Sequence, residues 1–130
     1  MKTKKYLLRF LYPYLLAAFI SNLPFVSGYI LHRVDSGVYK YSNADASYTR
    51  HDTFSFKSSP MSQWLIDSYI AEVHPEKKNQ QVYRLYRINP LCFWRWSHYL
   101  ITSRDYEYKS WKEIEPNRVP YDPENRCQAF

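Results

Sequence analysis

Residues 1–31 read MKTKKYLLRFLYPYLLAAFISNLPFVSGYIL, and where this stretch sends the chain decides how the remainder is read. Lys2, Lys4, Lys5 and Arg9 precede residues 11–31, a run of 21 positions without a charged side chain. That order is a membrane address, because cations are retained on the inner side while the apolar run enters the bilayer. Two outcomes fit it. In the first the run is one transmembrane helix, since about 20 residues at a rise of about 1.5 Å cross a hydrocarbon core of about 30 Å. In the second it is a secretory signal peptide cleaved near Gly28, with Val26, Ser27 and Gly28 supplying the small residues of a cleavage site. Pro13, Ser21, Asn22 and Pro24 weaken an anchor, and the continuation through Tyr29, Ile30 and Leu31 weakens cleavage. Retention is the favoured expectation: a membrane segment over 1–31 and an exported domain over 32–130.

Outward from this stretch, the charge balance changes meaning. The 130 residues hold 18 Lys and Arg against 12 Asp and Glu. Four of the basic residues lie in 1–28, where there is no acid, which leaves 14 basic and 12 acidic side chains and a net charge of +2 beyond it. A nucleic-acid binder needs a concentrated basic face, so nucleic acid is excluded as an expected partner. Only two glycines, Gly28 and Gly37, are present, which excludes a glycine-rich phosphate cradle.

The domain reads as α+β, with a short antiparallel sheet and two to three helices. Asp35-Ser36-Gly37 is a turn signal, and residues 38–41 have strand-forming side chains. Residues 48–57, with Phe54 and Phe56 at period two, form a second strand in a hairpin with the first. Ser59 and Pro60 are an N-cap and a first-turn proline for a helix running to Val73. Leu65, Ile66, Tyr69, Ile70 and Val73 make its apolar stripe, with Trp64 beside it, and Pro75 stops it at His74. Residues 82–88 are a third strand. Asn89 and Pro90 open a helix of about three turns through Phe93, Trp94, Trp96, Tyr99 and Leu100. Tyr106-Glu107-Tyr108 is a short strand, and Ser110 with Glu113 has the spacing of a capping box.

Candidate chemistry is sparse. His32, His51, His74 and His98 are scattered, without a His-x-x-x-His or Cys-x-x-Cys pair, so no metal or other cofactor is expected. No Gly-x-Ser-x-Gly elbow marks a nucleophile, and the chain is not expected to be an enzyme. Cys92 and Cys127 are the only cysteines, and in an oxidising compartment they are expected to form a disulfide that pins the proline-rich tail. The densest cationic and aromatic residues are Tyr83, Arg84, Tyr86 and Arg87, and Phe93, Trp94, Arg95 and Trp96. They form the candidate binding surface. The expected function is non-catalytic protein recognition at a bacterial inner membrane, as an immunity or inhibitor protein or an accessory subunit, with the domain in the periplasm. The alternative is a cleaved, soluble periplasmic module that binds an envelope glycan or small ligand through those eight residues.

Overall fold

The computed structural model describes residues 2–53 and 61–130, and the fold is α+β around a three-stranded antiparallel sheet. Strand β1 (Val38–Asn43) lies in the centre, with β2 (Thr49–Thr53) on one side and β3 (Val82–Arg84) on the other. β1 and β2 form the expected hairpin, in a register that sets Tyr39 opposite Asp52 and Tyr41 opposite Arg50. Its loop turns through Ala46, which takes a left-handed backbone with φ 56°. Asn43 holds that loop closed. Its side-chain amide reaches Ser47 Oγ, Tyr69 Oη and the carbonyl of Asn79, and its Oδ1 accepts the N–H of Tyr48. Side chains alternate across a strand, so Tyr39 and Tyr41 share one face, and both are buried.

Helix α3 (Gln63–Val73) covers that face with Ile66 and Tyr69. It ends as the sequence predicts, at His74, which adopts a left-handed cap with φ 51° and returns its N–H to the Ile70 carbonyl. Its start differs. The helix opens at Gln63 after an extended Ser62, while Ser59 and Pro60, like Phe54 and Phe56, lie outside the described residues. Trp64 does not extend the stripe; it is 71% exposed. In β2 the inward positions opposite the tyrosines are Arg50 and Asp52, paired at 3.0 Å, so an ion pair stands at the inner face there.

The third strand is shorter than residues 82–88 and ends at Arg84, which stays in register with Tyr41 of β1 and pairs along its other edge with the chain at Tyr108. That pairing uses bonds from Arg84 N to the Glu107 carbonyl and from Lys109 N to the Arg84 carbonyl. The helix expected from Asn89 also begins late. Asn89 and Pro90 build a turn, Phe93–Arg95 form a 3-10 turn, and helix α4 (Trp96–Ile101) follows. The reason is a distant partner: Trp94 and Arg95 both donate to Asp35, and consecutive residues of an α-helix do not face the same group. Helix α5 (Trp111–Ile114) starts with the expected capping box between Ser110 and Glu113, and Ile114 is fully buried.

The N-terminal stretch is not one helix over residues 11–31. Helix α1 (Lys2–Ser21) breaks at Asn22 and Leu23, and helix α2 (Pro24–Tyr29) continues in a new direction from Pro24. Among the described residues no helix is long and apolar enough to cross a membrane. Within α1 the uncharged part runs over residues 10–21, about 18 Å at helical rise against a core of about 30 Å.

The tail is ordered by backbone pairing. Thr49 N donates to the Cys127 carbonyl at 2.8 Å, Ala129 N donates to Thr49 Oγ1 at 2.7 Å, and the Gln128 side chain bonds the Ala46 carbonyl at 3.0 Å. Cys92 and Cys127 are both free thiols in this structure, half-buried against the core.

Candidate functional site

The site is built where the N-terminal arm meets the domain. Asn22, the residue at the break between α1 and α2, anchors the contact. Its Nδ2 donates to the carbonyls of Ala18 and Phe93 at 2.7 and 2.6 Å, and its Oδ1 accepts the Ser97 N–H at 2.7 Å. One side chain thus closes the end of α1 and ties it to the start of α4. Around it Tyr14 meets the edges of Phe93 and Trp96, with ring centroids 5.3 and 6.1 Å away. Ala18 is buried beneath this contact.

Beyond the contact the arm faces outward. Eleven large apolar side chains of α1, from Tyr6 to Ile20, are exposed, with Leu7 and Phe10 above 70%. Phe25, Tyr29 and Ile30 continue the patch past the break, and Leu100 and Ile101 of α4 are also exposed. A groove of about 360 Å³ runs between α1 and α4, lined by Leu15, Ala18, Phe19, Leu23, Trp96 and Leu100 among others.

A second device holds the same region from the other side. Asp35 accepts from Trp94 Nε1 at 2.7 Å, from Arg95 Nε at 2.6 Å, from Arg95 Nη2 and from Gly37 N at 2.8 Å. The Arg95 hydrogen bond dominates in lowering the Asp35 carboxyl to about 2, with Trp94 and Gly37 adding to it. Gly37 is the glycine this clamp requires, since a Cβ there would run into the Arg95 guanidinium. Arg95 also lies over the Tyr39 ring, 5.4 Å from its centroid.

Behind the clamp is a closed aromatic and polar core. The hydroxyls of Tyr41 and Tyr86 are 2.8 Å apart, both reach His98 Nε2 at 3.1 and 3.2 Å, and Tyr86 bonds Ser103 Oγ at 2.6 Å. His98 stacks on Tyr39 with centroids 3.7 Å apart. Burial, helped by the Arg95 charge, lowers His98 to about 4, so it is neutral at physiological pH. Burial raises the Tyr41 hydroxyl. Ser103 and Tyr41 have no exposed surface, so neither meets a substrate as the chain stands. The group binds the β1 face to α4 rather than opening to solvent.

Of the eight residues of the expected binding surface, Arg84 and Tyr86 touch, Arg84 Nη1 donating to the Tyr86 carbonyl at 2.7 Å. Tyr83, Arg84 and Arg87 lie by the 106–109 segment: Arg84 and Arg87 stack on Tyr108 at 5.5 Å each, and Lys109 stacks on Tyr83 at 4.7 Å. Tyr86 turns into the core. Phe93, Trp94, Arg95 and Trp96 belong to the arm contact and the clamp, and the Trp96 N–H donates to the Pro90 carbonyl at 2.9 Å. Sequence reasoning missed Tyr14, Asn22 and Asp35 as the partners of this group. The signal for Asp35 was an acid two residues before a glycine, read as a turn; it is that turn and a clamp as well.

Compared with family models, with curated proteins and with solved structures, the chain matches none. Among the described residues no three His, Cys, Asp or Glu side chains gather as a metal site would require.

Proposed function

We propose that this is a non-catalytic membrane-attached envelope protein that uses a retained N-terminal arm to hold a small domain at the lipid surface, where it recognises a protein partner. The observation that carries the reading is the arm: eleven large apolar side chains of α1 face outward, while its end is locked to the domain by Asn22. A helix apolar on every side is not at home in water. At about 1 kcal/mol for each partly buried side chain, inserting this surface contributes on the order of 10 kcal/mol. The arm is bent and the charge-free part of α1 is short, which favours insertion along the bilayer surface by α1, α2 and the exposed end of α4. Basic residues at positions 2, 4, 5 and 9 add attraction to anionic headgroups.

Retention of the arm is supported by Gly28, which is buried within α2 where cleavage would need an exposed, extended chain. Cleavage there would also remove both ties from Asn22 to the domain. In this reading the domain lies on the periplasmic side of a bacterial inner membrane, supported by the basic-then-apolar order of residues 1–31. Recognition rather than catalysis is supported by the full burial of Ser103, which leaves its hydroxyl no access to a substrate. The alternative of a soluble glycan-binding module draws no support from Trp94 and Trp96, whose N–H groups are both committed within the chain.

The test is flotation of the full chain with phospholipid vesicles, neutral and anionic. The protein is expected to float with both, more strongly with anionic lipid, and a variant carrying Leu7→Ser, Phe10→Ser and Leu16→Ser is expected to stay behind. Full-length protein that remains unbound to either vesicle would overturn the attachment. Co-purification in mild detergent tests recognition, and recovery of the chain alone, without a stoichiometric partner, counts against it.

A further inference from the structure

Strand β1 has a second face. Opposite to Tyr39 and Tyr41 it presents Val38 and Lys40. Helix α5 and the tail arch over this face, bringing Trp111, Arg118 and Phe130 to it and leaving a cleft of about 470 Å³ floored by Val38 and Leu85. Two cations stand in the cleft. Lys40 Nζ lies 4.6 Å from the centroid of the Phe130 ring, Arg118 lies 5.4 Å from that of Trp111, and the two rings are 5.7 Å apart. Among the described residues neither cation has an acidic side chain within ion-pair distance.

Exposed cation–π contacts are worth only about 0.5–1 kcal/mol each, so the rings hold the two side chains in place without neutralising them. A cleft of a few hundred Å³ with apolar walls and a few placed charges is the form of a small-molecule site. The tail that roofs it is fixed by Thr49 and Gln128, so the cleft is preformed.

We propose that this cleft binds a small organic anion, a carboxylate or phosphate ester whose apolar part is a ring or short acyl chain. The anionic group sits between Lys40 and Arg118, and the apolar part rests on Trp111, Phe130 and the Leu85 floor. The site lies away from the arm and does not depend on membrane attachment.

The experiment is isothermal titration of the full chain in mild detergent with naphthoate, its neutral isostere naphthamide, and acetate. Naphthoate is expected to bind saturably, and naphthamide and acetate at least about tenfold more weakly, since each lacks one half of what the cleft recognises. The double variant Lys40→Gln, Arg118→Gln is expected to lose naphthoate binding while its circular dichroism stays unchanged, both residues being at the surface. A Trp fluorescence change on binding should vanish in Trp111→Phe. Equal affinity for naphthamide, undiminished binding by the double variant, or no saturable heat at concentrations on the order of 10 mM would each overturn the proposal. None of these outcomes bears on vesicle flotation, so this site and the membrane reading fail separately.

Discussion

Replacing Asp35 by Asn tests whether the clamp joins the start of β1 to the 3-10 turn before α4. The substitution keeps the side-chain shape but removes the charge, and it turns an amide NH₂ toward the donors of Arg95 or Trp94. Removing one partner of a fully buried ion pair costs about 3–5 kcal/mol, because the other charge is left unpaired. Here the side chains of Arg95 and Asp35 retain 20% and 12% of their exposure, so water can reach part of the orphaned guanidinium. The loss is therefore set lower, at about 2–3 kcal/mol, a large share of the roughly 5–15 kcal/mol that holds a domain together. The measurement is urea unfolding followed by circular dichroism, in mild detergent, for wild type and Asp35→Asn. Its pH dependence carries the sign. The folded carboxyl lies at about 2, below its ordinary 3.8, so its contribution is present above 3.8 and disappears as the pH falls toward 2. The gap between the two proteins should be full at neutral pH and narrow below about pH 4. His98 titrates in a different window. Its folded value is about 4 against an ordinary 6.5, so the fold loses stability as the pH falls from 6.5 to 4, and it does so in both proteins. Gly37→Ala, which displaces Arg95 by contact instead of by charge, should lower stability at neutral pH as well. A gap below about 1 kcal/mol at neutral pH, or one that stays constant down to about pH 3, would refute the clamp.

Asn22→Ala should release the arm from the domain: limited proteolysis is expected to cut near the α1–α2 break faster than in wild type, with about 1–3 kcal/mol lost in unfolding experiments. The hydroxyl of Tyr39 is buried with no hydrogen-bond partner among the described residues, so Tyr39→Phe should leave stability unchanged or raise it by about 1 kcal/mol, as read by thermal unfolding. Intact-mass measurement with alkylation decides the cysteines. The free thiols of the structure predict two alkylated sites before reduction, whereas export into an oxidising compartment predicts none, and retention of residues 1–28 in the same spectrum checks that the arm is kept.

Local signals were legible where the controlling interaction is close in sequence. The capping box of Ser110 and Glu113, the stop of α3 before Pro75 and the hairpin around residues 44–48 all depend on neighbours within a few positions. The readings that missed were those in which a distant group competes. Trp94 and Arg95 leave helical geometry to meet Asp35, about 60 residues earlier, and Arg84, the last residue of β3, also pairs along its outer edge with the chain at Tyr108. Among the cationic and aromatic residues adjacent in sequence, Tyr86 bonds Tyr41 and Ser103 while Trp94 and Arg95 bond Asp35, partners that only the fold brings within reach.

By itself the sequence determined the α+β class and the small net charge beyond residue 28, because composition and short-range periodicity carry those properties directly. The tertiary structure decided that the arm breaks at Asn22 and is bound by it, and that the tail is held by Thr49. It alone brings Lys40, Trp111, Arg118 and Phe130 around one cleft. Each of these rests on a contact that closes a long loop, and such a contact leaves no periodic trace in the chain because its two halves are chosen by packing rather than by their neighbours in sequence.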